Sequence, residues 1–472
     1  MKRWEGPGFR TLYLYELKKI IYRRSVWITS GIMLLLCVCL SFADLINTSF
    51  GYSEGDEEIN ISGYELMKIR RECARKLSGR EIDDALLREM QEFYQGEERE
   101  EVTGVIDRAT GATIAAAEGG SADREEAARD GADGMEAVGD KADQGKAAGD
   151  EADSMETTGS DADLMQTAGD DLLEKLVDQQ KYMTVYSWIF GIMGNDESIY
   201  AADVSGLYSE RQRLIDQNRR DQMLTQNERM YWKKNDAGLK IPFTFEYMEG
   251  WGNLWDQANM INCMLLLLLT VSLSHVFSQE HLRKTDAIIL CSRHGKRELY
   301  LAKILAGMTF GAVAALLLFG AALISNLVVY GADGFGGALQ IEFPLSSWRI
   351  SMGRAVLFLL LLLLLISVMY SMAVMFLSEW LKKSAGVMAV PFGIMIFTLF
   401  IDIPYSYGTV SKVYELLPTN LLMTWKLWDD RLLSVLGNYM TLFQAAPMVY
   451  ILISALLLLM GKRIWKRCQV GA

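Results

Sequence analysis

The chain has 472 residues, 51% of them hydrophobic and 22% charged, with a formal charge of −12 at pH 7. A soluble globular enzyme is excluded, because the apolar residues cluster into six stretches free of Asp, Glu, Lys and Arg, each long enough to cross a bilayer at about 17 to 25 residues per crossing. The acidic surplus is local too: Gly119 to Asp171 holds 16 acidic and 4 basic residues, so the rest of the chain is neutral overall and has no electrostatic footprint for nucleic acid.

Residues 1–24 form the first element. Phe9, Leu12, Tyr13, Leu17, Ile20 and Ile21 recur at helical spacing, while Arg10, Glu16, Lys18, Lys19, Arg23 and Arg24 are charged. This pattern predicts a basic amphipathic helix lying in a headgroup layer among membrane lipids. The uncharged stretches that follow, 25–43, 257–279, 304–332, 355–378, 384–401 and 432–461, are each predicted to be one transmembrane helix, since a lipid-exposed backbone must satisfy its own hydrogen bonds. The fifth is the shortest and carries Pro391.

Lys and Arg in the connections orient the chain. With the N-terminus inside, the cytoplasmic segments 1–24, 280–303, 379–383 and 462–472 hold nineteen of them, against five in the short outer loops 333–354 and 402–431. Both termini are therefore expected in the cytoplasm, and residues 44–256 form a large extracytoplasmic domain. Within it, Gly63–Gln95 and Tyr208–Lys234 read as long helices, and Tyr182–Asn195, apolar but short, as domain core. Between them, residues 119–168 repeat a decamer with Ala-Asp pairs at Asp123, Asp133, Asp143, Asp153 and Asp163. Low hydrophobicity, recurrent Gly and high acidic charge predict a disordered tether rather than a stacked solenoid. The copies also lack the Gly-rich pattern that aims carbonyls at calcium.

Six cysteines without a Cys-x-x-Cys pair and three histidines give no disulfide framework or metal site. No catalytic set, cofactor motif or phosphate-binding loop occurs, and Leu77-Ser78-Gly79-Arg80-Glu81 only superficially matches an ATPase signature. The membrane stretches carry no central carboxylate of the kind ion-coupled transport uses. Asn262 and Asn326 are expected to bond between helices, and Gly307-x3-Gly311 to allow close helix packing. Any work this chain does draws energy from another chain.

The connection 280–303 carries the most information. Thr285 can cap a short helix, Ile288, Ile289 and Leu290 offer an apolar docking surface, and Gly295 ends the unit. Together with Glu-Leu-Lys-Lys-Ile-Ile-Tyr-Arg-Arg at Glu16–Arg24, the large insertion after the first helix, and Phe277, Glu280, Thr285, Leu290, Arg297 and Lys303, this loop resembles the membrane subunits (permeases) of ATP-binding-cassette transporters of the type 2 exporter class. It is similar to the family's Glu-x3-Gly-Thr and Ser-Arg-x5-Lys pattern, with Lys284 in place of the usual Gly.

The resemblance implies an all-α polytopic membrane protein with six transmembrane helices, an N-terminal elbow helix (Glu16, Lys18, Lys19, Arg23, Arg24) and a large, mainly helical extracytoplasmic insertion. It further implies a coupling loop on which a separate ABC ATPase subunit rests. Glu280, Thr285, Asp286, Arg293 and Arg297 are expected to mediate that contact, with Ile288, Ile289, Leu290 and Lys303 in the same loop. ATP is bound by the partner, so no cofactor is expected here. A second permease subunit, in a homo- or heterodimer, completes the expected assembly in the cell membrane. The alternatives are a four-helix mechanotransmitter permease and a membrane sensor or scaffold acting through its outer domain.

Overall fold

Runs of Leu, Ile, Val, Met and Ala offer the backbone no side-chain competitor for its hydrogen bonds, and in this chain they form helices. The computed structural model describes residues 8–47, 49–54, 57–97, 177, 180–194, 203–282, 298–426, 429–435 and 438–467. The decamer repeats lie outside these residues.

Helix α1 (Phe9–Ile21) is followed by α2 (Arg24–Ser41), α3 (Ala43–Asn47), the hairpin β1–β2 (Ser49–Glu54 and Glu57–Ser62), α4 (Gly63–Leu77), α5 (Asp84–Glu97), α6 (residues 180–193), α7 (Val204–Asp221) and α8 (Gln226–Asp236). Then come α9 (Glu249–Leu273), α10 (His275–Leu282), α11 (Glu298–Val329), α12 (Met352–Leu381), α13 (Ser384–Phe400), α14 (Thr409–Glu415), the hairpin β3–β4 (Leu432–Val435 and Asn438–Thr441) and α15 (Leu442–Arg467). Five helical spans are long and apolar enough to cross a membrane: Arg24–Ser41, Glu249–Glu280, Glu298–Val329, Met352–Leu381 and Leu442–Trp465. Most residues of the apolar stretch of Glu249–Glu280 are buried, 72% of them, so this span forms the centre of the bundle, whereas only 17% of those in Arg24–Ser41 are buried and it lies at the edge.

The fifth predicted span forms a helix of 17 residues, Ser384–Phe400, with Pro391 inside it, at the lower end of the about 17 to 25 residues that a crossing takes. Two other expectations are corrected. The sixth window, 432–461, is not one helix, because Leu432–Val435 and Asn438–Thr441 pair as antiparallel strands from Leu432↔Thr441 to Val435↔Asn438. With the β1–β2 hairpin, this makes the chain mostly helical rather than all-α.

Close packing in the bundle uses small residues, as expected. A Cβ on Gly311 would overlap Ser371 Oγ and press on the Ser367 carbonyl at 3.1 Å, and one on Gly307 would displace the end of the Met375 side chain, so α11 and α12 approach closely along these glycines. Asn326 Nδ2 donates to Ser41 Oγ and to Gln257 Oε1, both at 3.0 Å, joining three helices. Asn262, expected to bond to another helix, instead donates through Nδ2 to the Pro418 carbonyl in the connection after α14, at 2.7 Å.

The insertion folds onto one end of the bundle. The expected helix Gly63–Gln95 breaks at residues 78–83, where Gly79 takes φ +89° and the chain pairs with Phe243–Phe245 through Gly79 N to Phe245 O and Ile82 N to Phe243 O, each 2.8 Å. That turn is the stretch with the superficial ATPase likeness. Tyr208–Lys234 breaks where Thr225 and Glu228 form a capping box at the start of α8. Helix α6 buries Tyr182, Val185, Trp188, Ile189 and Ile192, and Trp188 Nε1 donates to the Gln340 carbonyl at 2.8 Å, making this segment domain core.

Charged side chains clasp the insertion to the two connections at this end. Arg219 Nε donates to Asp430 Oδ2 at 2.6 Å, and its Nη2 donates to Asp236 Oδ2 and Ser347 Oγ, both at 2.7 Å. Arg211 donates to the carbonyls of Pro344 and Ser346. Glu228 Oε1 accepts from Lys412 Nζ at 2.8 Å and from the Leu432 amide at 2.9 Å, and Arg71 and Arg75 both hold Asp333. Burial pushes the Asp430 carboxyl up to about 6 against the pull of Arg219.

Glu342, in the 330–351 connection, lies against Gly252, whose Cβ would stand 2.6 Å from its Oε1. Burial, then Asp256 and Glu249, push its carboxyl up to about 8. A raised carboxyl favours the folded state fully below the unfolded value, and that contribution is lost as pH rises through about 8. The thermal midpoint is therefore expected to be lower at pH 9 than at pH 6, and Glu342→Gln to narrow that difference. An unchanged difference in the variant would show that Glu342 does not titrate in this range.

Candidate functional site

The opposite end of the bundle carries α1, the last turns of α15 and the two stems, α10 and the start of α11, that flank residues 283–297. Three elements meet there. Helix α1 runs against α11, with Tyr13 Oη donating to Thr309 Oγ1 at 3.0 Å. The i, i+3 pair Glu16 and Lys19 sits on one face of α1. Helix α10 brings Glu280, and the first turns of α11 bring Lys303.

These four side chains form one ionic cluster. Lys303 Nζ lies 2.5 Å from Glu280 Oε1 and 3.7 Å from Glu16 Oε2, while Lys19 Nζ lies 2.6 Å from the same Glu280 oxygen and 3.7 Å from Glu16. Lys303 is fully buried, and Glu16 and Glu280 are 5% and 6% exposed. Lys303 Nζ also lies 3.4 Å from the Val276 carbonyl and 5.1 Å from the centre of the Phe277 ring. Beside the cluster, Arg23 Nη2 donates to Gln279 Oε1 at 3.1 Å. Charges buried this deeply persist only when paired, so the cluster fixes α1 to both stems of the connection.

The stem on the α10 side follows a break in its helix at Ser274. Ser378 Oγ on α12 accepts from the amides of Phe277 and Ser278 at 3.2 and 3.1 Å and donates to the Ser274 carbonyl at 2.7 Å. One hydroxyl thus serves groups freed where the regular ladder lapses. Phe277, Tyr300 and Trp465 close the layer beneath, with ring centres 5.6 to 6.2 Å apart.

Of the residues singled out from sequence, Glu16, Lys19, Glu280 and Lys303 meet, and Arg23 joins through Gln279. Lys18 and Arg24 are exposed and make no ion pair among the described residues. Thr285, Asp286, Ile288, Ile289, Leu290, Arg293 and Arg297 lie outside the described residues. Sequence reasoning missed the roles of Ser378 and Glu379. Read as a boundary residue, Glu379 is 1% exposed, close to Tyr300 and Gly461, and neither carboxylate oxygen has a hydrogen-bond partner among the described residues. No local signal marks it, because its position between charged and apolar segments suits an exposed residue equally well.

A bundle of long apolar helices with a charged, loop-bearing end and a clasped insertion defines a multi-pass membrane protein. The family model described as ABC-2 family transporter protein matches residues 10–461, nearly the whole chain, and the chain belongs to that family as its membrane component, without ATPase activity of its own. None of the curated proteins compared with it matches.

Proposed function

We propose that this chain is the permease subunit of an exporter that moves a peptide, lipid or other amphipathic compound, driven by a separate ABC ATPase gripping the 280–303 loop. In this reading both termini and the loop are cytoplasmic, residues 44–256 are extracytoplasmic, and Ser384–Phe400 completes six crossings. Two permease subunits pair in the cell membrane.

The observation that carries the reading is the buried Glu16–Lys19–Glu280–Lys303 cluster. A force applied to the loop between Glu280 and Lys303 reaches the central span, α11 and the elbow helix together, because one set of charges joins all three. Within the loop, Ile288, Ile289 and Leu290 supply the apolar contact, with Thr285, Asp286, Arg293 and Arg297 at its polar edge.

Replacing Ile288 and Ile289 by Asp is expected to abolish co-purification of the ABC ATPase subunit while the permease still reaches the membrane. Retention of the ATPase by that double variant sinks the assignment, and the sensor or scaffold reading requires no such partner at all.

The clasp between the insertion and the connections at its end favours a second reading, mechanotransmission, in which ATP hydrolysis moves the outer domain and no compound crosses. Flux into inverted vesicles containing both subunits separates the two, since only the exporter accumulates substrate.

A further inference from the structure

Charge on helix α8 is sorted by direction. Its acids turn inward, Glu228 to Lys412 and Asp236 to Arg219. Its cations turn outward: Arg229, Lys233 and Lys234 are exposed, as are Arg220 at the end of α7 and Lys240 beyond α8. None of these five makes an ion pair with any described residue. Asp221 is the one exposed acid among residues 220–240, and Met223 and Met230, 62% and 57% exposed, add apolar surface between the cations. A solvated helix ordinarily mixes both signs on its outer face, whereas here the clasp has consumed the acids and left a positive face.

We propose that this face is the docking surface for the acidic segment Asp150–Asp171 of the same chain, which comprises most of the last two decamer copies and the three residues after them. That segment holds eight acidic residues and no basic one, and Met155, Leu164 and Met165 are its larger apolar side chains. Its charge and sparse apolar content complement the face in kind. Its far end is anchored in the same insertion, since the Val177 carbonyl accepts from Cys73 Sγ at 3.3 Å. The 28 residues from Asp150 to Val177 span up to about 90–100 Å when extended, more than three times the length of α7 at about 27 Å, which gives the segment ample reach. Tethering makes the contact intramolecular, at an effective concentration of about a millimolar. An external anionic partner must therefore compete with the repeat for this face.

Exposed ion pairs are individually weak and are screened over a Debye length of about 8 Å at physiological salt, which supplies the test. The full chain, in nanodiscs of zwitterionic lipid, is treated with a water-soluble carbodiimide that joins carboxylates to amines in contact. Cross-links from residues 150–171 to Lys233 and Lys234 are expected, falling about tenfold between 50 and 500 mM salt. They are expected to fall as far in the variant Arg220→Glu/Arg229→Glu, which keeps both lysines and alters only exposed positions, with its thermal midpoint as the folding control.

Cross-links unchanged by that variant overturn the proposal. So do cross-links that join only differently isotope-labelled copies, which would make a second chain the occupant. Equal protection of Lys233 and Lys234 from acetylation on phosphatidylglycerol vesicles, with and without residues 150–171, would assign the face to lipid and likewise overturn it.

Discussion

Replacing Lys303 by Ala is expected to destabilise the bundle by about 3–5 kcal/mol, the usual consequence of removing one partner from a buried ion pair. Lys303 is fully buried and stands between Glu280 and Glu16, so its loss leaves two buried carboxylates to share Lys19, which is about one-third exposed. The measurement is thermal or denaturant unfolding of the purified protein in detergent, and a midpoint equal to that of the parent chain contradicts the structural role. A second variant separates stability from coupling. Replacing both Lys303 and Glu280 by Met removes the charges together while keeping similar volume, and such exchanges are often neutral or stabilising. If the cluster also positions the loop, the double variant keeps its midpoint yet loses stimulation of the partner's ATP hydrolysis by substrate. Full stimulation in the double variant shows that the charges hold the fold and nothing more.

Individual members of that cluster were legible in the sequence, and their meeting was not. Glu280 and Lys303 stand out as the charged edges of two apolar stretches, and Glu16 and Lys19 as a helical pair. Hydropathy treats a charge at the end of a stretch as the point where the chain enters water, so it places each of the four in solvent. Only tertiary packing reveals that they neutralise one another. The same blindness applies at the other end: Arg219, Glu228 and Asp430 read as ordinary charges on helices and a loop, yet all three are buried. The hairpin at 432–441 was hidden for the opposite reason. It is uncharged and so merged into the following helix, although Gly437 between two short runs of apolar and β-prone residues is a turn signal. The bundle itself was readable because lipid leaves the backbone so few choices, whereas the insertion, folded by water and pairwise contacts, was readable only as a set of helical segments.

Arg219→Ala is the expected disruption at the insertion's clasp. The guanidinium bridges Asp430 of the last connection, Asp236 of α8 and Ser347 of the connection before α12, each through its own hydrogen bond. Asp430 is held further by Gln222 Oε1 on its amide and by Trp232 Nε1 on its carbonyl. Lysine cannot reproduce this geometry, because an ammonium is a compact point charge without the planar fork. Arg219→Ala and Arg219→Lys are therefore both expected to destabilise the insertion, the first by about 3–5 kcal/mol and the second by less. Arg213→Ala, on the same helix but exposed and paired only locally with Glu210, is expected to change stability by less than about 1 kcal/mol. Hydrogen exchange reports the site directly: amides of residues 429–435 should lose protection in Arg219→Ala and keep it in Arg213→Ala. Equal protection in the two variants would remove the clasp as a structural element. Where protection is lost, ATP-dependent transport distinguishes its function. If the insertion moves with the bundle, Arg219→Ala lets the partner hydrolyse ATP without productive flux, whereas a passive insertion leaves flux and hydrolysis in their original ratio.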